Sequence, residues 1–251
     1  MMDSLHAAAT GMLAQQTAID VVANNLANVT TTGYKRGRMD AVDLQYQPFR
    51  LPTGQDGQVG LGSAPGQLAK EMGQGTFQDT GRELDVAIAG EGFIQVTRAD
   101  GTLAYTRAGN LQVDANGRVG LPSGELLQPR ATIPAGATGV TVAPDGAVSA
   151  TVNGAIQQLG QVQLATFTNP AGLEAAGDNL YLATANSGAA QVGQPGSGSR
   201  GLLTQGVLEG SNVDVAVEMI GMIFAQRAFE ASSKVVQSSD EMLGLANGLR
   251  Q

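Results

Sequence analysis

The sequence predicts an α+β protein: long N- and C-terminal helices paired as a coiled-coil domain, with an all-β, antiparallel domain inserted between them. Three observations carry this reading. Apolar residues recur with heptad spacing at both chain ends, a pattern that only a helix places on one face. The middle of the chain is a series of short alternating runs separated by Asp-Gly and Asn-Gly dipeptides, which favour two-residue hairpin turns. Glycine is abundant, 35 of 251 residues, and Gly-rich stretches bracket the β-rich middle.

At the N-terminus Leu5, Met12, Ile19 and Leu26 fall at steps of seven, with Ala8, Gln15, Val22 and Val29 interleaved. The expected helix covers 4–29, a rod of about 39 Å. Asp3 or Ser4 would cap it, and Thr30, Thr31, Thr32 and then Gly33 would end it. Gln15 is a polar interruption in the seam that fixes register. Asn24, Asn25 and Asn28 crowd one turn despite poor helix propensity and lie outside the seam.

The following segment, 37–84, reads as an extended Gly-rich connecting arm, and 85–187 as the all-β domain. Its strands are expected at 93–97, 102–107, 111–113, 140–142, 147–152 and 161–167, with turns at Asp100-Gly101, Asn116-Gly117, Asp145-Gly146 and Asn153-Gly154. Residues 188–210 form a Gly/Ser-rich return linker. A second long helix then runs over 213–249, with Asn212 as cap and Asp214 in the first turn. Its seam is Val217, Ile220, Phe224, Ala228, Ala231, Val235, Ser238, Met242, Leu245 and Leu249. The terminal domain therefore comprises 1–36 with 211–251.

Composition removes most catalytic chemistry. The chain has no cysteine and a single histidine, His6, which excludes thiolate nucleophiles, Cys-ligated zinc and His-rich metal sites and leaves little basis for a Ser-His-Asp triad. None of Lys35, Lys70 and Lys234 follows a glycine, so no Walker A loop exists. Gly60, Gly62 and Gly66 lack the strand-helix unit of a dinucleotide loop. The carboxylate pairs Glu83/Asp85, Glu174/Asp178 and Asp240/Glu241 read as solvated surface. We therefore expect no enzyme, no cofactor and no metal. With Lys+Arg 14 against Asp+Glu 22 the net charge is −8, so no basic field attracts nucleic acid. The start of the chain lacks a signal-peptide pattern, and the longest apolar run, 215–225, contains Glu218 and is too short for direct membrane insertion.

The positive signal lies in the helices. Between Val213 and Phe229 the second helix adds Val215, Met219, Met222, Ile223 and Phe229 to its seam, with Asp214, Glu218 and Arg227 as its charges. That is more apolar surface than one intramolecular pair covers, and it points to a subunit whose terminal helices pack against copies of itself by heterologous contacts.

Particular strings make the resemblance specific. A-N-N-L-A-N-V (23–29) and T-G-Y-K-R (32–36) at one end, with S-N-V-D-V (211–215), A-Q-R-A-F-E (225–230) and Q-S-S-D-E-M-L (237–243) at the other, resemble the flagellar basal-body rod and hook axial family. D-V-A-I-A-G-E-G-F-I-Q-V (85–96) and Y-T-R-A-G-N-L-Q-V-D-A-N-G (105–117) are similar to the β domain of its distal-rod type. The resemblance implies a structural subunit of the bacterial flagellar basal body, exported through the flagellar type III export apparatus without a cleavable signal peptide and located in the rod outside the cytoplasmic membrane. It implies a homo-polymer, a hollow tube that also contacts other flagellar rod and hook subunits.

Family motif and seam together give the expected polymer interface. At the N-terminal end it comprises Leu5, Met12, Ile19, Asn24, Asn25, Leu26, Asn28, Thr32, Gly33 and Tyr34. At the C-terminal end it comprises Ser211, Asn212, Val213, Ile220, Phe224, Arg227, Ala231, Val235 and Met242. One departure stands against the distal-rod type: Tyr46 to Gly62 is shorter than such members carry. A proximal-rod or hook-type subunit is therefore the alternative within the family, and a monomeric cell-surface binding module the alternative outside it.

Overall fold

The computed structural model describes residues 2–50 and 56–248, and of Met2–Ser4, Phe49, Arg50, Asp56, Ala246 and Asn247 the backbone alone. The chain divides into two compact units. The helical unit contains the described residues up to 27, those from 37 to 70 and those from 214 onward; the β unit contains 28–36 and 71–213.

In the helical unit, helix α1 spans Met2–Ala27 and helix α2 spans Val215–Gly248. Helix α1 begins before the expected Asp3 or Ser4 cap, so both residues lie inside it. Helix α2 is capped by Asp214 rather than Asn212: its Oδ1 accepts the backbone N–H groups of Ala216 and Val217 at 2.8 and 3.2 Å. A carboxylate there satisfies two orphan donors and complements the helix dipole. Leu249, the last expected seam residue, lies outside the described residues.

The segment expected as an extended arm is paired β structure instead. Strand Gly37–Asp43 pairs antiparallel with Ser63–Lys70, and Tyr46–Arg50 with Asp56–Gly60. The first ribbon is tied to α1 by Asn25, whose side-chain amide donates to the Gly37 carbonyl and accepts the Gly37 N–H, both at 2.8 Å. At Gly62, where φ is +104°, a Cβ would sit 2.9 Å from the Cα of Ala7, so only glycine permits this approach of ribbon to helix.

The β unit is antiparallel in every named strand pair of its described residues. A nine-stranded sheet is built around Phe93–Thr97, which pairs with Leu103–Thr106, Leu126–Gln128 and Leu164–Thr166. A three-stranded sheet contains Thr138–Val142, Ala147–Val152 and Ala155–Gln161. All four dipeptide turns connect paired strands. The stretch expected as a return linker also supplies strands: Gln191–Gly193 joins the large sheet, Leu202–Gln205 pairs with Val86–Ala89, and Val207–Glu209 pairs with Phe77–Asp79.

Alternation along the central strands feeds two cores, as the period of two requires. Ile94, Val96, Ala104, Leu164 and Leu180 enter an aliphatic core with Val86, Ile88 and Leu127. Their sequence neighbours Phe93, Tyr105, Ala165 and Tyr181 enter an aromatic core with Phe167. Its rings pack edge to face, with centroids 4.8 Å apart for Tyr105 and Phe167 and 5.9 Å for Phe93 and Phe167, the arrangement the ring quadrupoles favour.

Candidate functional site

In the helical unit α1 and α2 lie antiparallel in constant register. Gly11 faces Ser232, Val22 faces Gly221, and the Asn25 amide donates to Glu218 Oε2 at 3.2 Å. The most deeply buried side chains of the two helices are Ala14, Asn25, Glu218, Ala225 and Ser239. Small and polar residues make this contact, which lets the backbones approach closely without interdigitated seams.

The apolar seam of α2 points elsewhere, which corrects the expectation that it faces the other terminal helix. Ile220 is 54% exposed, Phe224 73%, Val235 45% and Met242 50%. Val217, Ala231 and Leu245 share this outward stripe, and Arg227 stands on it beside Glu230 at 3.2 Å. Near its start α2 also exposes Met219 and Ile223. By contrast the seam of α1, Leu5, Met12, Ile19 and Leu26, is half-buried, while Asn24 is exposed.

Other residues expected at the interface are used inside the β unit. Gly33, Tyr34 and Ser211 are buried. Gly33 has φ +70° and a Cβ there would lie 2.6 Å from the backbone of Ala108, while its N–H donates to the Glu209 carbonyl at 2.8 Å. The Asn212 side chain accepts the Arg36 N–H at 2.7 Å and donates to the carbonyls of Glu71 and Gly73. Thr32 accepts from the Asn179 amide at 2.9 Å, and Asn28 pairs with Thr31. Val213 is half-buried.

These motif segments converge on an ionic cluster that composition did not reveal. Glu209 and Lys35 are fully buried and Arg107 is 5% exposed. Lys35 Nζ lies 2.6 Å from Glu209 Oε1 and donates to the Gly73 carbonyl at 2.7 Å. Arg107 Nη1 donates to Glu209 Oε2 at 3.1 Å, and the Gly75 N–H donates to Glu209 Oε1 at 3.0 Å. Burial pushes the Lys35 ammonium below its ordinary range, and Glu209 opposes that shift. One carboxylate thus joins the segment after α1, the segment before α2 and the β sheet. The charges stood in the sequence as Lys35 in T-G-Y-K-R (32–36), Arg107 in Y-T-R-A-G-N-L-Q-V-D-A-N-G (105–117) and Glu209 just before S-N-V-D-V (211–215); nothing in the spacing indicated that they meet.

Family models match these segments. Residues 5–35 match that of the flagella basal body rod protein, 87–150 that of the flagellar hook protein FlgE/F/G D1 domain, and 204–249 that of the flagellar basal body rod FlgEFG protein C-terminal region. The flagellar basal-body rod protein FlgG of Caulobacter vibrioides is 42% identical over 263 residues, covering 99% of this chain and 100% of the relative. The chain belongs to the flagellar basal-body rod family. The FlgG protein of Borreliella burgdorferi is likewise 42% identical, with full coverage of both chains, whereas the rod protein FlgF of Escherichia coli is 32% identical over 97% of this chain and 98% of its own length. The greater similarity to rod proteins of the FlgG type favours that branch over the proximal-rod alternative. The family is a structural one, and its rod matches include α1 from Leu5 on and the whole of α2.

Proposed function

We propose that this chain is a distal-rod subunit that assembles helically with copies of itself into a hollow drive-shaft tube, using the outward stripe of α2 as its main polymer contact. The observation that carries this reading is the run of exposed apolar side chains Ile220, Phe224, Val235, Met242 and Leu245 on a helix whose opposite face is already occupied. An exposed apolar stripe of this length marks an interaction surface, and covering each such side chain contributes about 1–2 kcal/mol. Ala231 and Arg227 belong to the same surface, and in this reading the α1 seam Leu5, Met12, Ile19 and Leu26, with Asn24, makes further contacts between copies. In this reading 1–36 with 211–251 act as the assembly domain. Other rod and hook subunits meet the tube at its ends, and the chain reaches the rod, outside the cytoplasmic membrane, through the flagellar export apparatus.

Sedimentation velocity of the full chain over a concentration series tests this. Polymers that grow with concentration are expected. A chain that stays monomeric throughout, with and without preformed rod ends as seeds, would exclude self-assembly.

A further inference from the structure

Asparagine is followed by glycine at 116–117, 153–154 and 247–248. Such a dipeptide has a reaction of its own. Glycine has no side chain to shield its backbone nitrogen, so that nitrogen can reach the amide carbon of the preceding asparagine. Whether it does so in a folded chain depends on whether the N–H is free and whether the turn can open.

In three of the four Asp-Gly and Asn-Gly turns of the β unit the glycine N–H is committed. Gly101 donates to the Arg98 carbonyl at 2.9 Å, Gly117 to that of Asp114 at 3.0 Å and Gly146 to that of Ala143 at 2.9 Å. The turn at Asn116 is held further. The Asp114 carboxylate accepts the N–H groups of Asn116 and Arg118, both at 2.8 Å, and the Gly117 carbonyl accepts the Ile133 N–H at 2.7 Å. Gly248 is the last residue of α2, where a helical N–H donates to the carbonyl four residues back.

The turn at Asn153-Gly154 differs. Val152 pairs directly with Ala155, so the loop consists of these two residues and the strand ends, not Gly154, close it. Both loop residues have positive φ, 51° at Asn153 and 80° at Gly154, as this turn type requires. Both are exposed. Neither the Gly154 N–H nor the Asn153 side chain has a hydrogen-bond partner among the described residues, and a Cβ built on Gly154 would meet nothing within 4 Å. Within strand Ala147–Val152 the buried residue nearest the tip is Ala150, so the tip can open locally without exposing the core.

We propose that Asn153 is a site of spontaneous deamidation, selected by the fold over the other two Asn-Gly pairs. Hydroxide removes the Gly154 N–H proton, and the nitrogen attacks Asn153 Cγ. The new N–Cγ bond forms as the Cγ–Nδ2 bond breaks, and ammonia leaves with a proton from water. Water then opens the resulting cyclic imide at either carbonyl, giving aspartate or isoaspartate. Either product adds a negative charge to the hairpin tip, and isoaspartate also runs the main chain through Cβ, lengthening the two-residue loop by one carbon.

The test incubates the full chain in mildly alkaline buffer and follows the peptides carrying each Asn-Gly pair by mass spectrometry, with electron-transfer fragmentation separating isoaspartate from aspartate. In the folded chain Asn153 is expected to react about fivefold faster than Asn116 or more, the factor that one backbone hydrogen bond contributes, with both isomers formed and a rate that rises with pH. In chain unfolded by guanidinium the two rates are expected to converge. An Asn153 that stays intact, or that reacts no faster than Asn116 in the folded chain, overturns the assignment. A preference for Asn153 that persists unchanged after unfolding also overturns it, because the local sequence rather than the fold would then make the selection.

Discussion

Glu209, fully buried, accepts from Lys35, Arg107 and Gly75, so its charge is what makes burying two cations tolerable. Glu209→Gln is expected to destabilise the fold by about 3–5 kcal/mol, the usual effect of removing one partner from a buried ion pair. Urea unfolding measures this, with exposed Arg227→Ala as a control expected to change stability by less than about 1 kcal/mol. A loss of similar size in both would contradict the role given to the cluster. Tyr181 gives a pH-dependent test. Burial holds its phenol well above the ordinary value, so near pH 10 and above the unfolded chain releases a proton that the folded chain keeps, and stability falls as pH rises. Lys35, held below its ordinary value by burial, acts with the opposite slope, because the folded state gives up its proton first. The comparison of wild type with Tyr181→Phe isolates the tyrosine: the variant is expected to lose less stability between about pH 9.5 and 11. Equal losses would contradict it. The sequence contained every residue of this cluster but no periodicity that would place them together, because the contacts to Glu209 join segments more than a hundred residues apart.

At the scale of elements, Asn25 explains why an asparagine-rich turn ends α1. Its amide bonds both backbone groups of Gly37 and reaches Glu218, which outweighs its poor helix propensity. Asn25→Ala removes both the acceptor of the Gly37 N–H and the donor to the Gly37 carbonyl, together with the amide donor to Glu218. Amide hydrogen exchange at Gly37 is expected to accelerate by about tenfold or more; unchanged exchange would contradict the tether. The two helices, the Asp-Gly and Asn-Gly hairpins and the apolar stripe of α2 were all legible from spacing alone. The direction of that stripe was not, because heptad spacing locates apolar residues without saying which face the chain's own partner occupies. Here Gly11, Ala14, Gly221 and Ala225 set that face. The strands at 191–193, 202–205 and 207–209 were hidden for a related reason: they are short and Gly-flanked, and their order comes from pairing with distant strands rather than from local propensity.

In the proposed polymer, neighbouring copies complete the helix pair. Its internal face is small and polar, so it buries little apolar surface, and isolated helices depend on packing for stability. In dilute monomer, limited proteolysis is expected to trim both chain ends while the β unit resists; in polymer both ends are expected to be protected. Ends that resist cleavage equally in monomer and polymer would contradict this. Whether the α2 stripe holds copies together is read from the critical concentration, measured by pelleting, of the full chain beside an Ile220→Ser, Phe224→Ser, Val235→Ser variant. If the stripe is the polymer contact, the variant keeps its β-unit unfolding transition and its critical concentration rises by about a hundredfold or more. A variant that pellets at the wild-type concentration would show that the stripe is not what holds the rod together.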